Sequence, residues 1–295
     1  MTTAAAPRPA SPCIGVCVID EARGLCTGCV RTLDEIAGWG SADDAYRADV
    51  WAALPDRAAT IGLAVRRLDW QGECILDAVE ARFADASGTF VTGVYGAVAE
   101  VLRDPDEPFR ADRSGPVLTL ATGRAALRLE AAPWMTAFEI ARPERPPLIA
   151  FAVPIGRTMP AGPAALTDLG PDSGGLLPRD AGGRRFDMGL GRRSARFTIR
   201  CSDTLASAIA PHGGTPWPGC LGRIGRAVLG ESPVRVIEAP CVRAEVDAVI
   251  PPPGGASPDG PHTHLMPDHI AQGFDTPPTV PLPKGYVLSV LFYPR

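Results

Sequence analysis

Four cysteines, Cys13, Cys17, Cys26 and Cys29, fall within 17 residues near the start of a 295-residue chain, in the pattern C-x3-C-x8-C-x2-C. Two close pairs separated by a short loop can bring four thiolates to one point, the ligand set of a tetrahedral metal ion or an iron–sulfur cluster. Half of the chain's eight cysteines lie there. Gly24 and Gly28 flank the second pair, where glycine permits a tight turn and presents backbone N–H groups to sulfur. The pattern points to a bound metal centre, with disulfides and free thiols as the alternatives.

The neighbouring residues carry a resemblance. Ser11-Pro12-Cys13-Ile14-Gly15-Val16-Cys17-Val18-Ile19-Asp20, Gly24-Leu25-Cys26-Thr27-Gly28-Cys29-Val30-Arg31-Thr32-Leu33-Asp34-Glu35-Ile36, Trp39 and Leu54-Pro55-Asp56-Arg57 together resemble the short bacterial domain of unknown function 1289 (DUF1289). Members of that family are described as predicted iron–sulfur proteins. The resemblance covers residues 11–58 and implies an iron–sulfur cluster on Cys13, Cys17, Cys26 and Cys29; zinc uses the same ligands.

Residues 1–10 contain Ala, Thr and Pro with one Arg and no apolar segment of the secretory kind, and read as a disordered lead-in. No window approaches the apolar length of a membrane-spanning helix, so no membrane contact is expected. A cytoplasmic chain keeps thiols reduced, which favours metal over disulfides. The net charge is −4, so nothing suggests a nucleic-acid partner. The basic residues include a single lysine, Lys284, a bias of the genome and not of function. Within residues 11–58, eight acids against four arginines leave −4. That acidic face is either simply solvated or docks on a basic protein partner.

Two helix starts follow Cys29. Thr32-Leu33-Asp34-Glu35 is a capping box, and it opens a short helix through Trp39. Ser41-Ala42-Asp43-Asp44 opens a second, with Tyr46, Val50 and Leu54 on one face and an expected end before Pro55. So small a module buries little core, and a metal centre with Trp39 and Trp51 would supply the rest.

Residues 59–295 read as an α+β domain. Residues 59–104 read as helical: Ile61, Val65, Leu68, Ile75, Val79 and Phe83 recur every three or four residues, followed by Val91, Val94, Tyr95, Val98, Val101 and Leu102. Residues 115–295 read as mostly antiparallel strands, with a Gly/Pro-rich loop at 160–185 that covers a site or stays mobile, and helices at 204–210 and 221–229. Cys74, Cys201, Cys220 and Cys241 are isolated and read as core packing, and the glycines at 189–191 and 222–225 as turns or close packing.

Ser257 to His269 holds three of the four histidines. In extended chain His262 and His264 point the same way, and a helix starting at Pro267 would turn His269 back toward them, with Asp259 or Asp268 completing the set. The alternative is a solvated Pro-rich loop. His212 reads as a helix terminus. There is no G-x-S-x-G or H-E-x-x-H, so a catalytic set is not legible.

Three functions fit: an iron–sulfur module serving electron transfer or redox sensing; a structural Zn2+ module used for protein docking; and a metalloenzyme built on His262, His264 and His269.

Overall fold

The computed structural model describes residues 10–295; the expected disorder of the lead-in lies, but for its last residue, outside the described residues. A short hairpin of β1 (Ile19–Asp20) and β2 (Leu25–Cys26) is followed by α1 (Leu33–Gly38), α2 (Asp44–Ile61), β3 (Val65–Arg67) and α3 (Glu73–Ala84). Then come β4 (Gly88–Val94), β5 (Ala97–Val101), β6 (Arg110–Ser114), β7 (Val117–Ala121), β8 (Ala125–Glu130), β9 (Thr136–Arg142) and β10 (Arg145–Pro154). The rest comprises β11 (Thr167–Pro171), β12 (Arg184–Asp187), β13 (Arg196–Cys201), α4 (Asp203–Ile209), α5 (Gly219–Glu231), β14 (Val234–Ala239), β15 (Val242–Val246), β16 (His262–Leu265), α6 (Pro267–Ala271) and β17 (Tyr286–Pro294). The class is α+β, as expected, and all the strand pairings are antiparallel.

Two large sheets pack face to face. One has seven strands in the order β16-β5-β4-β17-β10-β9-β3, the other eight in the order β11-β12-β13-β14-β15-β8-β7-β6. Phe90, Phe151, Val290 and Phe292 of the first sheet meet Leu118, Leu127, Ile237 and Ala244 of the second in one core. Leu76, Val79 and Phe83 of α3, and Leu205 and Ile224 of α4 and α5, extend that core beyond the overlap of the sheets. Alternation with a period of two decides which residues go inward. In β5, Ala97, Ala99 and Val101 are buried between the sheets, while Val98 and Glu100 face outward.

The expected helix over Val91 to Leu102 is instead the β4–β5 hairpin. Apolar residues on both faces of a half-covered sheet mimic helical spacing, but Val91, Thr92, Val94, Val98 and Val101 are β-branched and suit a pleated surface. Val65 and Leu68 likewise belong in and beside a strand, β3, and α3 starts only after Gly72. Helix α2 does not end before Pro55 but runs through it to Ile61 and closes on Gly62, whose φ of 65° is left-handed. Pro55 removes one backbone bond; the contacts of Leu54 and Ala58 with Val30, Val50 and Trp51 outweigh that loss. The 160–185 segment contains β11 and reaches β12, and its 172–180 stretch is pinned on the outer face of the eight-stranded sheet. There Leu177 is buried, with the Leu176 and Leu177 N–H groups donating to the two Glu245 oxygens at 2.9 Å each. Cys201 and Cys220 are buried, whereas Cys74 is exposed and not a core residue.

The Thr32 capping box is present. Its oxygen accepts from the Glu35 N–H and the Glu35 carboxylate accepts from the Thr32 N–H. Glu35 also takes both guanidinium nitrogens of Arg57, at 2.6 and 2.9 Å, which ties α1 to α2. Burial pushes the Glu35 carboxyl up, but the Arg57 and Thr32 hydrogen bonds outweigh it and hold it below its usual range. A carboxyl lower in the folded state stabilises fully above its unfolded pKa and loses that contribution as pH falls through the folded one. Glu35→Ala is therefore expected to cost about 2 kcal/mol at neutral pH and progressively less as pH falls below the usual carboxylate range. Local hydrogen exchange in α1 and α2 measures this; an equal effect at neutral and acidic pH contradicts the assignment.

Candidate functional site

The four cysteines stand as two pairs. β1 and β2 turn the chain back so that Cys26 and Cys29 oppose the segment of Val16 to Val18, with the Thr27 N–H donating to Val18 O at 2.7 Å. Gly28 sits where a Cβ would lie 2.7 Å from Val16 O and 2.9 Å from Val16 Cβ, so only glycine fits. Three sulfurs receive N–H donors at 3.4 Å: Cys13 from the Gly15 N–H, Cys26 from the Gly28 N–H, and Cys29 from the Arg31 Nε. The Gly24 N–H, expected at sulfur, closes the hairpin turn on Asp20 O at 2.7 Å instead.

Burial raises the Cys26 thiol, but the Cys29 and Gly28 N–H groups more than offset it, so it lies below an ordinary cysteine. Burial keeps Cys29 above, despite Arg31. Cys17 is exposed and raised chiefly by the neighbouring charge of Cys13. The segment rests on the larger domain. Ile14 packs into the outer apolar face of the seven-stranded sheet with Phe138 and Leu148, and Arg67 of β3 donates to the Cys13 carbonyl at 3.4 Å. Trp51 is buried and its Nε1 donates to Ala10 O at 2.9 Å, while Arg31 lies over the Trp39 ring at 4.7 Å.

The histidines separate. His262 and His264 are on β16, a strand where a solvated loop was the alternative, with their Nε2 atoms 3.1 Å apart. His264 Nε2 is 3.1 Å from Glu100 Oε1, and His262 Nε2 is 3.8 Å from Glu100 Oε2. A helix does start at Pro267, but it carries His269 onto the Tyr95 ring, stacked at 4.6 Å with an interplanar angle of 9°. His269 is thus a packing residue of the β4–β5 turn, and Glu100 takes the third place. Among the described residues, Glu100, His262 and His264 form the one group of three or more placed to share an ion; neither Asp259 nor Asp268 joins it. Among the described residues the four cysteines form no such group.

Glu100 was missed because 164 residues separate it from His264 in sequence. Its signal was a lone acid in the alternating run Ala97-Val98-Ala99-Glu100-Val101. The hydrogen bond from His264 holds the Glu100 carboxyl below its usual range, against the opposing push of burial.

Besides these groups, a cleft of about 930 Å³ opens between α2 and the larger domain, with Trp51, Arg66, Trp70, Arg82 and Glu139 on its walls. No helix among the described residues is long and apolar enough to cross a membrane.

Residues 75–295 match a family described as "Family of unknown function (DUF6925)", and residues 11–58 match "Protein of unknown function (DUF1289)". No curated protein and no solved structure matches the chain.

Proposed function

For this chain, which belongs to the DUF6925 family of unknown function and carries a DUF1289 segment at its N-terminus, we propose a redox role. Cys13, Cys17, Cys26 and Cys29 hold an iron–sulfur cluster, and the segment serves electron transfer to, or redox sensing for, the larger domain. The observation that carries this reading is the set of N–H donors at Cys13, Cys26 and Cys29. Hydrogen bonds to ligating sulfur tune a cluster's potential. Bound there, a cluster supplies one-electron exchange. The Arg31 guanidinium and the buried position of Cys29 set the charge and solvent access around it. Contact of Ile14 and Cys13 with the sheet gives the segment a fixed seat on its recipient.

The runner-up is a structural zinc with the acidic face as a docking surface for a basic partner. Zinc–sulfur bonds of about 2.3 Å place four thiolates about 3.8 Å apart around one ion. In a cubane each thiolate binds a separate iron, so the sulfurs stand further apart. The sulfur spacing in the loaded protein therefore separates the two readings. The pairing of Glu35 with Arg57 removes one acid from the free acidic face.

Anaerobic purification followed by a visible spectrum and metal analysis tests the reading. Broad visible absorbance with iron and acid-labile sulfide supports it; a colourless protein with about one zinc per chain replaces it by the structural reading.

A further inference from the structure

The edge of the seven-stranded sheet carries a second group of ligands, independent of the redox reading. We infer that Glu100, His262 and His264 together hold one divalent first-row transition ion, iron(II), manganese(II) or zinc(II), with coordination positions left open to solvent.

Strand geometry brings the three together. His262 and His264 lie two residues apart and share a face, and Glu100 is the direct cross-strand partner of His262. The face is locked from the other side. Thr263, between the histidines, points inward, where its hydroxyl accepts from the Arg235 Nε at 3.3 Å, tying β16 to β14. A slip of one residue would reverse both histidines, and this bond opposes it.

The separations suit an ion. Ligands about 2.1 Å from one metal lie about 3.0 Å apart at an octahedral angle and about 3.4 Å apart at a tetrahedral one. The 3.1 Å between the imidazoles and the 3.1 Å from His264 to Glu100 Oε1 fall inside that range, and the 3.8 Å from His262 to Glu100 Oε2 lies just above it. The tautomer of His262 is also set. Its Nδ1 is 2.8 Å from the Gly260 carbonyl, which only accepts, so Nδ1 carries the proton and the Nε2 lone pair faces the space shared with His264 and Glu100. A histidine ligand held through its other nitrogen by a carbonyl is the usual outer support of a metal site. Gly260 can offer that carbonyl because it has a φ of 85°, and a Cβ there would meet the Arg124 guanidinium at 2.8 Å.

Two imidazoles and one carboxylate suit iron, manganese and zinc, and leave one position free in a tetrahedral ion or three in an octahedral one. Access matches that need: the His262 side chain is 11% exposed, His264 27% and Glu100 29%. The group is distinct from the cysteines. One cross-strand row runs from Arg67 through Phe138, Ala150, Leu291, Val91 and Glu100 to His262, with the cysteine segment at one end and the histidines at the other. Six strand spacings separate the ends, about 29 Å.

Full-length protein, retaining whatever its cysteines hold and dialysed free of loosely held ions, is titrated with Co2+ by calorimetry and visible absorption. The expected result is one site of micromolar affinity or tighter, with weak d–d bands and no thiolate-to-metal charge transfer. Glu100→Gln and His264→Gln, polar replacements at half-exposed positions, are each expected to weaken it by more than the roughly 10–100-fold that loss of an outer support costs, with unchanged circular dichroism. Cys26→Ser is expected to leave it intact, so failure here and failure of the cluster reading are separable. No saturable site in folded wild type, or binding unaffected by both substitutions, overturns the inference. So does a charge-transfer band that Cys26→Ser abolishes.

Discussion

Cys26→Ser is expected to strip the metal from the N-terminal segment and loosen residues 11–58 while both large sheets stay folded. Cys26 is fully buried in β2, and its sulfur meets the Gly28 N–H and the Val16 carbonyl. The segment's own apolar cluster is small: Val30, Val50, Trp51, Leu54 and Ala58, with Trp39, Ile61 and Leu63 at its margin. A core of that size would leave folding dependent on the proposed metal centre, since metal binding energy in such modules is folding energy. The sheets have a separate core that shares no residue with it. Metal analysis together with hydrogen exchange over residues 11–58 reads both effects. Full metal stoichiometry in the variant contradicts the ligand assignment. His264→Ala, by contrast, is expected to leave the cysteine-bound metal untouched.

Arg200→Met is expected to destabilise the larger domain by about 3–5 kcal/mol, the range for breaking a buried ion network from one side. Arg200 has no exposed surface, and its Nη1 is 3.0 Å from both Asp172 Oδ2 and Glu245 Oε2. Its Nη2 donates to Leu177 O at 2.8 Å. Arg243 completes the set, 2.5 Å from Asp172 and 2.6 Å from Glu245. With Arg200 gone, two buried carboxylates face chiefly one guanidinium, and the 172–180 stretch loses an anchor. Denaturant unfolding measures the cost. Adding Glu245→Gln removes the surplus charge, so the double variant is expected to be less destabilised than the sum of the singles, by about 0.5–3 kcal/mol. Strict additivity contradicts the network.

The N-terminal segment was the more legible part because its signals are local. A capping box acts across three residues and the cysteine pairs across 17, so sequence spacing and spatial distance nearly coincide. Helix α2 was misjudged where a propensity rule met packing: Pro55 argues for an end, and Leu54 and Ala58 argue for another turn. In the sheets the information is non-local. H-x-H on β16 told which face the histidines share, but only the pairing of β16 with β5 brings Glu100 to them. The buried network had a visible trace, charged residues in the middle of apolar strands such as Val242-Arg243-Ala244-Glu245-Val246, whose partners come from β13 and the loop after β11. The hairpin of β4 and β5 was hidden because valine every three or four residues satisfies a helix template, while the deciding alternation of Ala97, Ala99 and Val101 uses small side chains that carry little apolar signal.

X-ray absorption at the iron and zinc edges of the anaerobically purified full-length protein tests the cluster assignment most directly. The account predicts iron with sulfur neighbours and a second iron nearby, both lost in Cys26→Ser and retained in His264→Ala. Zinc in an all-sulfur shell with no iron would contradict it, and would make the cysteine segment a structural element.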